Sequence, residues 1–224
     1  MPSDKFEKTI AAIVCCYNEA RTIERVISDL LKIPFLSQII VVDDGSSDNS
    51  RQILQKYKEE VTILFNASNK GKGCSVARAL EIANCDIILL LDADIINYTA
   101  ADLKLLVEPV MQWKFDFSVK VPDSYFFLYV NVSGIRCYWR KDLLPLATAF
   151  TRTSKYGIEL FLNKAMRQKS GVFIKLSDYR HTDKFQKYPF FRAVWEYGKE
   201  AGSLLYQIIL TSDRGALYSI KKNP

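Results

Sequence analysis

Residues 87–92 read Ile-Ile-Leu-Leu-Leu-Asp, and Ala93 and Asp94 follow. A run with no polar residue to turn toward solvent makes a strand buried on both faces, as in a parallel sheet covered by helices. Asp92 and Asp94 then fall at the C-terminal end of that strand, where open α/β sheets bind ligands. Two like charges one residue apart repel, and a divalent cation with a diphosphate offsets the repulsion. On its own the triplet suits a solvated turn equally well, so its neighbours in the fold decide the matter.

Those neighbours follow a regular rhythm. Residues 10–17 are an apolar run, after which Ile23, Val26, Ile27, Leu30 and Leu31 recur at helical spacing and stop near Pro34. Residues 39–42 make a second buried strand, followed by the polar turn Asp43-Asp44-Gly45-Ser46-Ser47-Asp48. Asp48 or Ser47 suits the N-cap of a helix carrying Ile53, Leu54 and Tyr57. Residues 61–65 form a third strand, and Val76, Ala79, Leu80 and Ala83 line the helix that leads into the Asp-Ala-Asp strand. Strand and helix in alternation predict right-handed βαβ units and a mostly parallel central sheet flanked by helices.

The second half is less regular. Leu103, Leu106, Val107 and Val110 predict a helix, residues 115–121 alternate like a strand, and residues 126–132 form another strand-like run. Ile158, Phe161, Leu162, Ala165 and Met166 predict a helix, residues 172–176 a short strand, and Ala201, Leu204, Leu205, Ile208 and Ile209 a C-terminal helix. No repeat or linker interrupts the chain, so residues 1–224 read as one domain.

Composition bounds the function. With 49% apolar and 25% charged residues the chain is globular. No apolar stretch approaches a bilayer span and the first residues lack a signal-peptide pattern, so a cytoplasmic protein is expected. Five cysteines, an odd number without a Cys-x-x-Cys pair, agree with a reducing compartment, and a single histidine argues against a zinc site. The net charge is +6, of which residues 180–224 contribute +4. A basic end suits phosphate or anionic lipid, and equally a solvated face; no nucleic-acid partner is expected.

The polar residues gather after successive strands: Tyr17-Asn18-Glu19, Asp43-Asp44-Gly45-Ser46, Asn69-Lys70-Gly71-Lys72-Gly73 and Asp92-Ala93-Asp94. Each alone is ordinary turn chemistry. Together they supply acids for sugar hydroxyls and base edges, a lysine for phosphate and a carboxylate pair for metal. In order and spacing over residues 10–96 these motifs resemble the family 2 glycosyltransferases of the GT-A fold. The resemblance continues more thinly at Ser133-Gly134-Ile135-Arg136, at Tyr156-Gly157-Ile158-Glu159, and at His181 followed by Lys184. Cys15-Cys16 departs from it, since many relatives carry a proline before Tyr-Asn-Glu.

The resemblance implies a single GT-A, Rossmann-like domain with a C-terminal helical segment. Residues 10–96 would bind a UDP- or GDP-sugar, and residues 97–224 the acceptor. Tyr17, Asn18, Glu19 and Asp44 would hold base and ribose, and Lys72 would face the diphosphate, with Arg78 near the aspartates. Asp92 would contact ribose or the metal's water shell, and Asp94 would bind Mn²⁺ or Mg²⁺ directly. His181 is a further candidate ligand, favouring Mn²⁺. Ser133, Gly134 and Arg136 would line the acceptor or sugar. Glu159 is the candidate general base and Asp142 its rival; a phosphate acceptor would need neither.

Other readings fare less well. A dinucleotide-binding enzyme needs Gly-x-Gly-x-x-Gly after the first strand, where Tyr17-Asn18-Glu19-Ala20 stands. Gly71-Lys72-Gly73 lacks the earlier glycine of a P-loop. A pyrophosphorylase expects an absent Gly-rich, Arg-containing N-terminal loop. A non-catalytic binding protein that keeps the fold remains open. So do two kinds of transfer: inverting, with a lipid-linked or polyprenyl-phosphate acceptor, or retaining, resembling glucosyl-phosphoglycerate synthases. A C-terminal stripe extending back through Phe190, Phe191, Val194 and Trp195, beside Lys184, Lys187, Arg192 and Lys199, suits either the inner membrane surface or the protein core.

Overall fold

A computed structural model describes residues 8–121, 133–153, 157–176, 180, 181 and 191 of the protein. The apolar runs become strands β1 (Ile10–Cys16), β2 (Gln38–Asp43), β3 (Thr62–Phe65) and β4 (Ile87–Asp92), and the amphipathic stretches become α1 (Ile23–Leu30), α2 (Ser50–Gln55) and α3 (Lys72–Ile82). Then come β5 (Ile95–Ile96), α4 (Ala100–Met111), β6 (Phe117–Val121) and β7 (Arg136–Trp139). The short helices α5 (Arg140–Leu143) and α6 (Ala147–Phe150) lead to α7 (Ile158–Ala165), β8 (Gly171–Lys175) and β9 (Arg180–His181).

Among the described residues seven strands form the main sheet, in the order β3-β2-β1-β4-β7-β6-β8. β1 pairs in parallel with β2 and β4, so that Val14 lies opposite both Val41 and Leu91. β7 alone is reversed, antiparallel to β4 and β6. The chain leaves β1 toward β2 and β3 and returns to β4 on the other side, which makes the crevice between β1 and β4 a topological switch point.

Side chains alternate across the sheet and build two cores. Ile10, Ala12, Val14, Val41, Leu89 and Leu91 face α1, α2 and α4; Ala11, Ile13, Ile40, Val42, Ile88 and Leu90 face α3, α6 and α7. Covering both faces is why the interiors of β1, β2 and β4 are apolar, with Gln38, Asp43 and Asp92 only at strand ends. The α1 stripe buries Ile23, Val26, Ile27 and Leu30, whereas Leu31, expected with them, sits past the last turn and is exposed. The N-cap of α2 is Asn49 rather than Asp48 or Ser47; Asp48 stands one residue earlier, its Oδ1 accepting from Ser50 N at 2.9 Å. Thr99 and Asp102 form a capping box at the start of α4. α4 is followed by Trp113 at φ 57°, held in that left-handed conformation by a stack on Trp139 at 3.8 Å.

One sequence expectation needs correction, and two features carried no sequence signal. Residues 115–121 alternate, but every residue of β6 is buried, because β7 and β8 flank it and Ser118 hydrogen-bonds the Leu106 carbonyl of α4 at 2.5 Å. β7 carried no periodic signal, since Arg136 opens it and four residues complete it. The two-residue pair β5–β9 was not foreseen either. The strand-like run at 126–132 and the C-terminal helix at 201–209 lie outside the described residues. Among the described residues no helix is long and apolar enough to cross a membrane.

Phe117 and Gly171 are register partners on β6 and β8, and the Phe117 ring fills the space a Cβ at position 171 would take. Gly171→Ala must therefore displace a ring that is itself buried against Tyr138. Urea unfolding is expected to show a loss of ~1–3 kcal/mol, the usual scale of overpacking. An unchanged midpoint would mean that the ring yields without cost.

Candidate active site

The C-terminal ends of the parallel strands bring the four polar clusters to one edge. Cys15 is in register with Asp92, so the turn after β1 and the turn after β4 are neighbours across the switch point. Thr22 fastens them: its buried hydroxyl donates to the Ala93 carbonyl at 2.8 Å. Asn18 takes a left-handed φ of 56°, which asparagine tolerates. Its side-chain oxygen accepts from Ser47 N at 2.8 Å, while its N–H donates to Ser46 Oγ at 2.9 Å. The turns after β1 and β2 thus hold each other. The Glu19 carboxylate lies 3.2 Å from the Thr22 hydroxyl oxygen, and Tyr17 stands at the rim, 45% exposed.

The adjacent carboxylates after β2 have separate partners. Asp43 is fully buried and accepts from Arg51 at 3.2 and 3.3 Å. Asp44, also buried, accepts from Lys70 N at 2.9 Å, Gly71 N at 2.7 Å and Asn66 Nδ2 at 2.7 Å. It thereby shapes the Lys70-Gly71-Lys72 turn that starts α3. Gly45, at φ 74°, packs so closely on the Ser68–Asn69 backbone that a side chain there would overlap it. Arg78, expected near Asp92 and Asp94, bonds the Phe65 carbonyl and the Asn66 side chain instead, because α3 points it at the end of β3.

Lys72 opens α3, and its ammonium joins two carboxylates from distant parts of the chain. Nζ donates to Asp92 Oδ1 at 2.6 Å and to Glu159 Oε1 at 2.8 Å. Burial would lower the lysine's pKa, but the two carboxylates outweigh it and hold Lys72 above its ordinary value, fully charged at neutral pH. Gly134 closes over this group: a Cβ there would overlap both Asp92 oxygens and the ammonium. Only a residue without a side chain lets the strand-entry loop lie on the ion pair.

Glu159 sits in the first turn of α7 and is buried. Its rival Asp142 lies beyond the far end of β7, bonded to Lys169 at 3.1 Å, on the opposite edge of the sheet. Arg136, expected to line the acceptor or sugar, is corrected to a buried role. Its guanidinium is 0% exposed and bonds the Ser133 carbonyl at 2.5 Å, Asn163 at 2.6 Å and Tyr138 OH at 3.3 Å.

For a metal, Asp94 is half-buried beside Asp92, and Ile95 pairs with His181, so the backbone brings position 181 next to the Asp-Ala-Asp turn. Among the described residues no group of three or more His, Cys, Asp or Glu forms a ready metal cage. Two hard carboxylates at the strand end nevertheless fit a divalent ion in chemistry. Tyr156, Lys184 and Lys187 lie outside the described residues.

Sequence reasoning passed over Thr22, Asn66 and Asn163. Asn66 follows β3 directly, so the rule that polar residues cluster after strands would have found it three residues before Asn69. Nothing local marks Thr22 or Asn163; their roles come from tertiary contacts.

Comparison with known proteins agrees with this geometry. The family model described as Glycosyl transferase family 2 matches residues 11–170. A poly-beta-1,6-N-acetyl-D-glucosamine synthase of Staphylococcus aureus (strain COL) is 36% identical over 90 residues, 39% of this chain and 22% of that protein. An uncharacterized glycosyltransferase, YaiP of Escherichia coli (strain K12), is 35% identical over 96 residues, 42% of this chain and 24% of that one. The chain thus aligns with less than a quarter of the length of these curated relatives. Glucosyl-3-phosphoglycerate synthase from Mycobacterium tuberculosis, solved with Mn²⁺, UDP and phosphoglyceric acid, superposes with a TM-score of 0.68 at 18% identity. The match covers 89% of this chain and 78% of that one, a likeness of fold.

The ion pair makes a prediction independent of any ligand. Lys72→Met leaves two carboxylates facing each other and is expected to cost ~1–3 kcal/mol in urea unfolding at pH 7–9, the lower part of the range for a partly buried pair. Because the folded pKa of Lys72 is raised, its contribution is complete below the ordinary value of 10.5 and is lost only as pH rises through the higher folded value. A wild-type advantage already fading between pH 7 and 9 would contradict the assignment.

Proposed function

This chain belongs to glycosyl transferase family 2, and we propose that it moves a sugar from a nucleoside-diphosphate sugar to an acceptor. The observation that carries this reading is the Lys72 ammonium shared between Asp92 and Glu159 at the switch point of the sheet. A cation and two carboxylates at that edge suit a substrate with both a diphosphate and a hydroxyl to deprotonate.

In this reading Tyr17 offers its exposed ring to the base at the rim, and Asn18, Glu19 and the buried Asp44 fix the turns that frame base and ribose. Lys72 presents positive charge to the diphosphate. Asp92, Asp94 and His181 would hold Mn²⁺ or Mg²⁺, which when bound supplies a Lewis acid for the departing diphosphate. Ser133 and Gly134 border the space for sugar and acceptor, the glycine letting the loop lie directly on Asp92 and Lys72. Glu159 takes the proton of an acceptor hydroxyl at its carboxylate. A UDP-sugar is the first donor to test, since the fold neighbour was solved with UDP.

Inversion onto a lipid-linked or polyprenyl-phosphate acceptor is the version that the basic, apolar C-terminal sequence supports, with the enzyme at the inner face of a membrane. Retention is a second version, favoured by the sharing of one lysine between Glu159 and Asp92: the carboxylate then stands on the leaving-group side. The anomer first released into water from UDP-glucose, read by proton NMR before mutarotation, separates them.

Two substitutions test the assignment. Asp94→Asn is expected to abolish metal-dependent turnover and the Mn²⁺-dependent thermal stabilisation by UDP-sugars, with the unliganded melting temperature unchanged. Wild-type turnover that survives saturating EDTA would exclude a role for the metal. Glu159→Gln is expected to lower kcat by at least ~10²-fold with little change in UDP affinity by calorimetry, the scale for loss of a general base. Turnover near wild type would point to a phosphate acceptor, which is already ionised.

A further inference from the structure

We propose that Arg136 is a positioning residue for the reaction, the clamp that fixes the spacing between the Ser133-Gly134 loop and the helix carrying Glu159. The inference rests on the reading of Glu159 as base. Arg136 is the largest fully buried side chain among the described residues, and it is a cation. A guanidinium removed from water needs hydrogen-bond acceptors around it, and here they come from two directions.

On one side Nε donates to the Ser133 carbonyl at 2.5 Å. The next residue, Gly134, lies on the Asp92 carboxylate and the Lys72 ammonium. On the other side Nη1 donates to Asn163 Oδ1 at 2.6 Å. Asn163 stands four residues after Glu159 on α7, one turn along the same face, and both are buried. Loop and helix are distant in sequence and share no strand. The arginine is anchored between them by β7, where it pairs with Leu90 and Val119.

The planar fork explains why the residue is arginine. It presents donors at fixed angles to two acceptors at once, which a lysine ammonium on a flexible stem does not reproduce. Complete burial excludes a direct contact with substrate, so its effect passes through Gly134 and Glu159. A displacement of about 1 Å at a reacting group can cost ~10²-fold in rate.

The test uses the full chain with Asn163→Leu, which removes the acceptor, and Asn163→Asp, which keeps it. Arg136→Lys keeps the charge and removes the fork. Amide hydrogen exchange at residues 133–135 and 158–163 is measured beside UDP affinity and UDP release from UDP-glucose with Mn²⁺. Asn163→Leu and Arg136→Lys are expected to speed exchange in both segments. They should lower turnover by ~10–100-fold while UDP affinity stays within about 2-fold. Asn163→Asp should recover both readouts. Exchange at 133–135 unchanged in Asn163→Leu would overturn the clamp, as would a loss of UDP affinity equal to the loss of turnover. If Arg136→Lys does not fold, the Asn163 pair decides alone. Glu159→Gln is assayed in parallel: wild-type turnover there removes the base assignment and leaves the clamp to be judged on exchange.

Discussion

Parallel strands cannot be joined by a tight turn; each must be carried back along a crossover before the next begins. In this protein that constraint falls on β1, hydrogen-bonded in parallel to β2 on one side and β4 on the other. Both faces of the strand must then be covered, so α1, α2 and α4 occupy one and α3, α6 and α7 the other. Each strand delivers its last residue to the same edge, which gathers Tyr17, Asp44, Asn66 and Asp92 from four parts of the sequence. The reversed β7 adds something the parallel strands cannot. Its first residue lies at that edge, so the segment entering it reaches the site as well.

Crowding acids at one edge is unfavourable unless each is answered locally. The answers differ in kind. Asp43 has the Arg51 guanidinium, Asp44 has backbone N–H groups and an amide, and Asp92 shares Lys72 with Glu159. The first two arrangements fix turns and leave little acceptor capacity for a ligand. The third is partly open to solvent and draws on a lysine, whose long stem can follow a moving partner. Rigid framing groups therefore surround a small set of adjustable ones.

How much of this could be read beforehand depended on whether a residue's role was local. The strands β1 to β4 announce themselves because burial on both faces demands unbroken apolar runs, and Val76, Ala79 and Leu80 mark α3 by their spacing. β7 does not, since the side chain opening it is a buried arginine whose acceptors lie on another helix and in the preceding loop. The four polar turns were legible as a set at one sheet edge. Their partners were not: that Asp44 would serve the backbone of residues 70 and 71, or that Lys72 would reach residue 159, depends on how far apart the packed helices stand. Arg136 was the clearest mismatch, because a charged residue near a glycine suggests a surface contact and only the packing reveals its burial.

The Lys72 ammonium has a hydrogen-bond valence of three, and the two carboxylates fill two of its positions. One donor remains. An incoming anionic oxygen can take it while both carboxylates stay bound, but a second such oxygen can be met only by releasing Asp92 or Glu159. The number of oxygens that a ligand presents to this nitrogen thus sets whether one of the two acids is set free.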